Sequence, residues 1–160
     1  MSADKTLIAY ASKGGATEEA AQTIADVLRE KFGLEVDLAN LRKSSPDIAP
    51  YKNVVVGAGV RAASIYGEAL KFLKKDFGSR KIAFFVSCGA AGDPEKDPKN
   101  YEKACAKYLT DELTKYPNIK PVAKDAFGGR MKVFGKTIWD NQDKAKIRAW
   151  AETLGKKFTE

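Results

Sequence analysis

Hydrophobic positions along the chain fall into two alternating rhythms. Leu7 to Ala11 is a short apolar run that breaks into Ser12, Lys13, Gly14, Gly15, Ala16 and Thr17, and from Glu18 onward the apolar residues Ala20, Ile24, Leu28 and Phe32 recur every four positions. That pattern predicts a strand, a small-residue loop and an amphipathic helix ending near Gly33. Glu35 to Ala39 alternates, with Val36 and Leu38 on one face, as an edge strand would. Arg42 to Tyr51, with Ser44, Ser45, Pro46 and Pro50, is a loop. Val54 to Val56 is apolar without interruption, predicting a strand buried on both faces, and runs into Gly57, Ala58 and Gly59.

The same sequence of events repeats further on. VRAASIY reads as a loop, and a helix follows with Ala69, Leu70, Leu73 and Phe77 on one side. Ile82 to Val86 predicts a fourth strand, leading into Ser87, Cys88, Gly89, Ala90, Ala91, Gly92, Asp93 and Pro94. A third helix carries Tyr101, Ala104, Tyr108, Leu109 and Leu113, with the tyrosines read as packing residues. Val122 to Phe127 predicts a short fifth strand before Gly128 and Gly129, and Ile147, Trp150, Ala151, Leu154 and Phe158 define a last helix. Strands alternating with helices, without a long linker or repeat, predict one α/β domain over residues 1–160, an open doubly wound parallel sheet with helices on both faces. In such a sheet ligands lie beyond the carboxyl ends of the strands. The loops at 11–17, 57–66 and 87–94 should therefore meet at one edge.

Composition narrows the chemistry. In 160 residues there is no histidine, which removes the usual general base and the hydrolytic schemes built on it. Cys88 and Cys105 are the only cysteines and form no C-x-x-C pair, so zinc and iron–sulfur centres lack ligands. Cys88 itself reads as a buried thiol more than a redox group. No apolar run approaches the roughly 20 residues of a membrane span, and the expected location is the cytoplasm. The 28 Lys and Arg exceed the 21 Asp and Glu, giving +7. These cations are scattered, which favours general affinity for anionic partners over nucleic acid.

The loop at 12–17 is neither G-x-G-x-x-G nor G-x-x-x-x-G-K-[ST], so dinucleotide and P-loop readings lose their basis. It could still hold a phosphate on the free N–H groups of the helix start, or be a plain turn in which Thr17 caps the helix. At this point the chain resembles the flavodoxins. SKGGAT keeps Ser12, Gly15 and Thr17 of their [ST]-x-[ST]-G-x-[ST] phosphate loop, with Gly14 in place of a hydroxyl. GAGVRAASIYGEALKFL and FFVSCGAAGD are similar to their two flavin-flanking loops. The resemblance implies a five-stranded sheet of order 2-1-3-4-5 that binds FMN.

On that resemblance Ser12, Lys13, Gly14, Gly15, Ala16 and Thr17 would cradle the phosphate. Ala58, Gly59, Val60, Arg61, Ala62 and Tyr66 would lie along the flavin ring, and Ser87, Cys88, Gly89, Ala90, Gly92 and Asp93 would offer backbone donors to its polar edge. Within the superfamily, VDLANL, GAGVR and the Ala126 to Arg130 segment are similar to the group that includes menaquinone-dependent protoporphyrinogen dehydrogenases. The piece from Gly128 to Asp143 is shorter than their insertion. The implied function is an electron carrier working with redox partners that present acidic docking surfaces, or with a quinone or other small acceptor. One alternative is an FMN-dependent oxidoreductase of the protoporphyrinogen type, with Arg130 and Lys132 meeting substrate carboxylates. Another is a flavin-free module that binds an acidic partner. The positive charge is opposite to the acidic character usual in flavodoxins.

Overall fold

The computed structural model describes residues 5–13, 15–61, 64–92 and 94–160, with 131–133 described by their backbone. A parallel sheet is built from β1 (Lys5–Ala11), β2 (Val36–Asn40), β3 (Tyr51–Arg61), β5 (Lys81–Ser87) and β6 (Ala123–Phe127), in spatial order β2-β1-β3-β5-β6. The two-residue β4 (Ser64–Ile65) pairs antiparallel with the end of β3. Counting only the parallel strands, this is the expected 2-1-3-4-5 order, with the Val36 strand at one edge and the chain reversing direction across the sheet between β1 and β3.

Period-two alternation sends neighbouring residues of each strand to opposite layers. Leu7, Val54, Val56, Phe84 and Val86 pack beneath α2 (Gly67–Phe72) and α3 (Pro98–Cys105), together with Ala69, Leu73, Phe77 and Ala104. Ile8, Val55, Phe85 and Phe127 face the other way, against Ile24 and Leu28 of α1 (Ala16–Phe32) and Ile147, Trp150 and Leu154 of α4 (Lys144–Phe158). The rings of Phe85, Phe127 and Trp150 meet at centroid distances of 5.5–5.8 Å. Gly57 makes room for one of them, because a methyl group there would stand 2.2 Å from the Phe85 ring.

Four expectations need correction. The helix expected to carry Ala69, Leu70, Leu73 and Phe77 is shorter: α2 ends at Phe72, and Leu73 and Phe77 enter the core from the segment that follows it. The loop expected at 57–66 begins as strand: β3 continues to Arg61 and turns back into β4. The third helix is not uniform, because α3 passes into a π-helical turn at Ala106–Asp111. Its buried residues Ala104, Leu109 and Leu113 are spaced five and then four apart, and the wider turn accommodates the extra residue. Finally, the segment after β6 forms an antiparallel hairpin, β7 (Arg130–Val133) and β8 (Lys136–Asp140), that sequence reading left without secondary structure.

Candidate functional site

Parallel strands end at one edge, so β1, β3, β5 and β6 deliver their following segments to the same place. The first two loops touch: a methyl group on Gly59 would stand 3.1 Å from Ser12 Oγ and 3.2 Å from the Tyr66 ring. Gly59 also lies opposite Ser87 in the sheet, and the Tyr66 N–H donates to the Gly59 carbonyl at 3.2 Å. The third loop is tied to the end of β6 by the Cys88 N–H, which donates to the Phe127 carbonyl at 2.9 Å. The expected convergence of the three loops is therefore present.

The helix following the first loop starts two residues earlier than expected. Gly15 is its N-cap, at φ +89°, a left-handed geometry that suits glycine, and no side chain caps the helix. Thr17 is thus not the cap. It lies in the first turn, fully buried, and its Oγ1 has no hydrogen-bond partner among the described residues. A buried hydroxyl beside the free N–H groups of a helix start is a donor set that fits an anionic oxygen. Lys13 is exposed next to it and Ser12 half-buried. Gly14, Ala62 and Asp93 lie outside the described residues.

Along the second loop Ala58 is buried, Val60 half-buried and Arg61 exposed. Tyr66 packs against the core beneath Gly59, and the Arg42 guanidinium stands 5.8 Å from its ring centroid. Ser87 is buried at the end of β5, and its Oγ also lacks a partner among the described residues. The third loop differs from expectation in what it can donate. Gly89–Ala91 is a 3-10 turn in which the Ala91 and Gly92 N–H groups donate to Cys88 and Gly89 carbonyls at 3.2 Å each. With the Cys88 N–H bonded to Phe127 and those of Ala91 and Gly92 bonded within the turn, several of the expected donors are already engaged. Burial pushes the Cys88 thiol above its ordinary pKa, so it is held protonated and unreactive at neutral pH.

Sequence reading missed the hairpin residues that roof this loop. Trp139 lies over Gly89, where a methyl group would stand 2.7 Å from the indole. Asn141 accepts from the Gly129 N–H and donates to the Gly89 carbonyl, both at 2.9 Å, and Gln142 donates to the Ala16 carbonyl at 2.6 Å. Arg130 is bound by Glu19 of α1 and by Asp140, the latter at 2.8 Å. Its hydrogen bond with Glu19 comes first among the causes that raise its pKa. A guanidinium enclosed between two carboxylates is committed to holding the hairpin, which corrects its expected role toward substrate carboxylates; the Lys132 side chain lies outside the described residues. A groove of about 1210 Å³ runs beside these residues, between α1, the third loop and the start of α4, and does not include Ser12 to Thr17. The signal for Trp139 and Asn141 was faint: an exposed-looking Ile-Trp-Asp-Asn run far from the loops it covers.

Among solved structures, a flavodoxin from Streptococcus pneumoniae TIGR4 superposes with a TM-score of 0.63 at 18% identity, covering 95% of this chain and 98% of that one. A Fusobacterium nucleatum flavodoxin bound to flavin mononucleotide gives 0.57 at 15% identity, covering 96% and 98%. In sequence the chain is similar to the Escherichia coli K12 protoporphyrinogen IX dehydrogenase [quinone], 31% identical over 109 residues. That match covers 66% of this chain and 60% of the relative's length. Among the described residues, no helix is long and apolar enough to cross a membrane. The family model of the flavodoxin domain matches residues 7–153, and the chain, with its strand order and converging loops, belongs to that family.

Proposed function

We propose that this chain binds one FMN and passes electrons between redox partners. The observation that carries the reading is the pairing of a glycine-capped helix start with a buried, unpartnered Thr17 hydroxyl at the carboxyl edge of the sheet. The flavin, when bound, supplies the redox chemistry. The chain's own residues hold and tune it. The N–H groups of Ala16 to Glu18 and the hydroxyls of Ser12 and Thr17 would bind the phosphate, with Lys13 adding charge. Gly59 to Arg61 and Tyr66 would border the ring on one side, and Ser87 to Gly89 on the other, beside the Trp139 indole that lies over Gly89. The positive charges of Lys13 and Arg61 would favour the reduced, anionic flavin.

Titration of the flavin-free protein with FMN and FAD tests this. Saturable binding of one FMN, with FAD bound far more weakly, is expected. Gly15→Val should abolish it, because a β-branched residue neither adopts φ +89° nor leaves room at the phosphate. Equal binding of FAD, or no flavin bound at all, overturns the proposal and favours a flavin-free binding module.

A second reading, a quinone-linked dehydrogenase acting on a reduced tetrapyrrole, is favoured by the curated relative's identity and by the hairpin that roofs the third loop. Turnover with protoporphyrinogen and a quinone would establish it. Electron exchange with a carrier protein in the absence of such turnover would establish the first.

A further inference from the structure

The exposed large hydrophobic side chains among the described residues are Phe134, Ile138 and Trp139, exposed by 105%, 57% and 39%. All three belong to the hairpin β7–β8. Phe134 is also the single non-glycine residue among those described with a positive φ, +50°. In a two-residue hairpin turn that position suits Asn, Asp or Gly, and a bulky aromatic there is disfavoured. An aromatic residue held in a strained turn with its whole side chain in water contributes no packing to its own chain. The strain is compatible with a role outside it.

The surroundings of this tip indicate what it meets. A register shift in the hairpin leaves Ile138 without a cross-strand partner and pairs Lys136 with Val133 and Trp139 with Met131, so Lys136 and Trp139 share a face, Trp139 packing toward Gly89 while Lys136 stands exposed beside the tip. Lys13 and Arg61, at the same carboxyl edge of the sheet, are exposed and outside the ion pairs of the described residues; of the exposed acidic residues nearby, Asp140 is paired with Arg130 and Asp143 caps α4, which leaves Glu18 and Glu95. A net charge of +7 opposes pairing with a second copy through this edge. Residues 134–140 are all exposed, so Phe134 is a wedge without pocket walls around it. A medium that closes around a wedge suits it better than a preformed protein surface. Tryptophan behind the tip and lysine beside it are the residue types that settle at headgroup level.

We infer that the hairpin docks the protein on an anionic lipid surface, with Phe134 entering the interface and Lys136, Lys13 and Arg61 meeting the headgroup phosphates. The docked orientation would present the carboxyl edge of the sheet, and with it the proposed flavin site, to the surface in which an apolar electron acceptor dissolves. Docking itself requires only the hairpin and the basic edge, although its purpose rests on the flavin reading.

Vesicle flotation of the purified protein tests the inference, with FMN content measured by absorbance in the same samples. Vesicles of phosphatidylcholine mixed with phosphatidylglycerol should carry the protein, phosphatidylcholine alone should not, and added salt should weaken the binding. Phe134→Asn, a residue suited to the left-handed turn and therefore no threat to folding, should reduce partitioning about tenfold. Lys136→Glu should reduce it as well. In Phe134→Trp, brominated acyl chains should quench the new indole. Absence of binding to the anionic vesicles, equal partitioning of wild type and Phe134→Asn, or an unquenched Trp overturns the inference, as does capture of an acidic protein by this tip without vesicle binding. If FMN is bound but vesicles are not, docking alone fails. If vesicles are bound but FMN is not, the flavin reading alone fails.

Discussion

A hydroxyl buried without a partner costs about 1–3 kcal/mol, and Thr17 bears that cost in the first turn of α1. Valine has nearly the same shape and no polar atom. Thr17→Val should therefore leave the melting temperature of the flavin-free protein unchanged or raise it, while weakening FMN binding by about tenfold or more, the value of one hydrogen bond to an anion. Calorimetry and FMN titration on the same variant check both halves, and a lower melting temperature with unchanged affinity would return the residue to a purely structural role. Such a hydroxyl was legible in sequence, because Ser12, Gly15 and Thr17 sit within six residues of one another between an apolar strand and an amphipathic helix. Trp139 and Asn141 were not, since their contacts with Gly89 span some fifty positions and leave no local periodicity. Arg130 was visible as a cation, but its engagement with Glu19 depends on how the hairpin folds back over α1.

The first and last helices and most strands were read with boundaries within a few residues, whereas α2 stops five residues before Phe77 and β3 runs five residues past Val56, and the elements that escaped have a physical reason for doing so. β4 is two residues long and exists through its pairing with Val60 and Arg61. The hairpin mixes charged and apolar residues along both strands and β8 is exposed throughout, so that strand lacks the half-buried alternation that marks one in sequence. Its attachment is correspondingly local. Asn141→Ala, which removes the side-chain bonds to Gly89 of the third loop and to Gly129 after β6, should loosen Trp139 and shift its fluorescence while costing the global fold only about 1–2 kcal/mol. Urea unfolding followed by far-ultraviolet circular dichroism, set against tryptophan emission, separates these effects. Within the main sheet the opposite holds. Gly57→Ala drives a methyl group into the buried Phe85 ring and should destabilise the protein by about 1–3 kcal/mol, read as a lower urea midpoint with the slope unchanged.

Across the whole molecule, a pH response can be assigned at the alkaline end. Partial burial, followed by a 2.7 Å hydrogen bond to Asp37, raises the Tyr51 hydroxyl to about 12. A group whose pKa is higher folded than unfolded stabilises fully below its unfolded value, about 10, and loses that contribution as pH rises through the folded one. The stability difference between wild type and Tyr51→Phe should accordingly be constant up to about pH 10 and shrink toward pH 12, measured by urea unfolding across that range. The global architecture was the most legible level of all, because alternating strands and helices admit few topologies. The packing of α4 on α1 has a consequence for how the molecule comes into being. Lys31 pairs with Glu152, and Gly155 lets the Phe32 ring approach closely, so that residues more than a hundred positions apart seal one face of the sheet. While a ribosome is still making residues 144–158, Phe85 and Phe127 lack the cover that Trp150 gives them, and the nascent chain presents these rings to chaperones until α4 emerges.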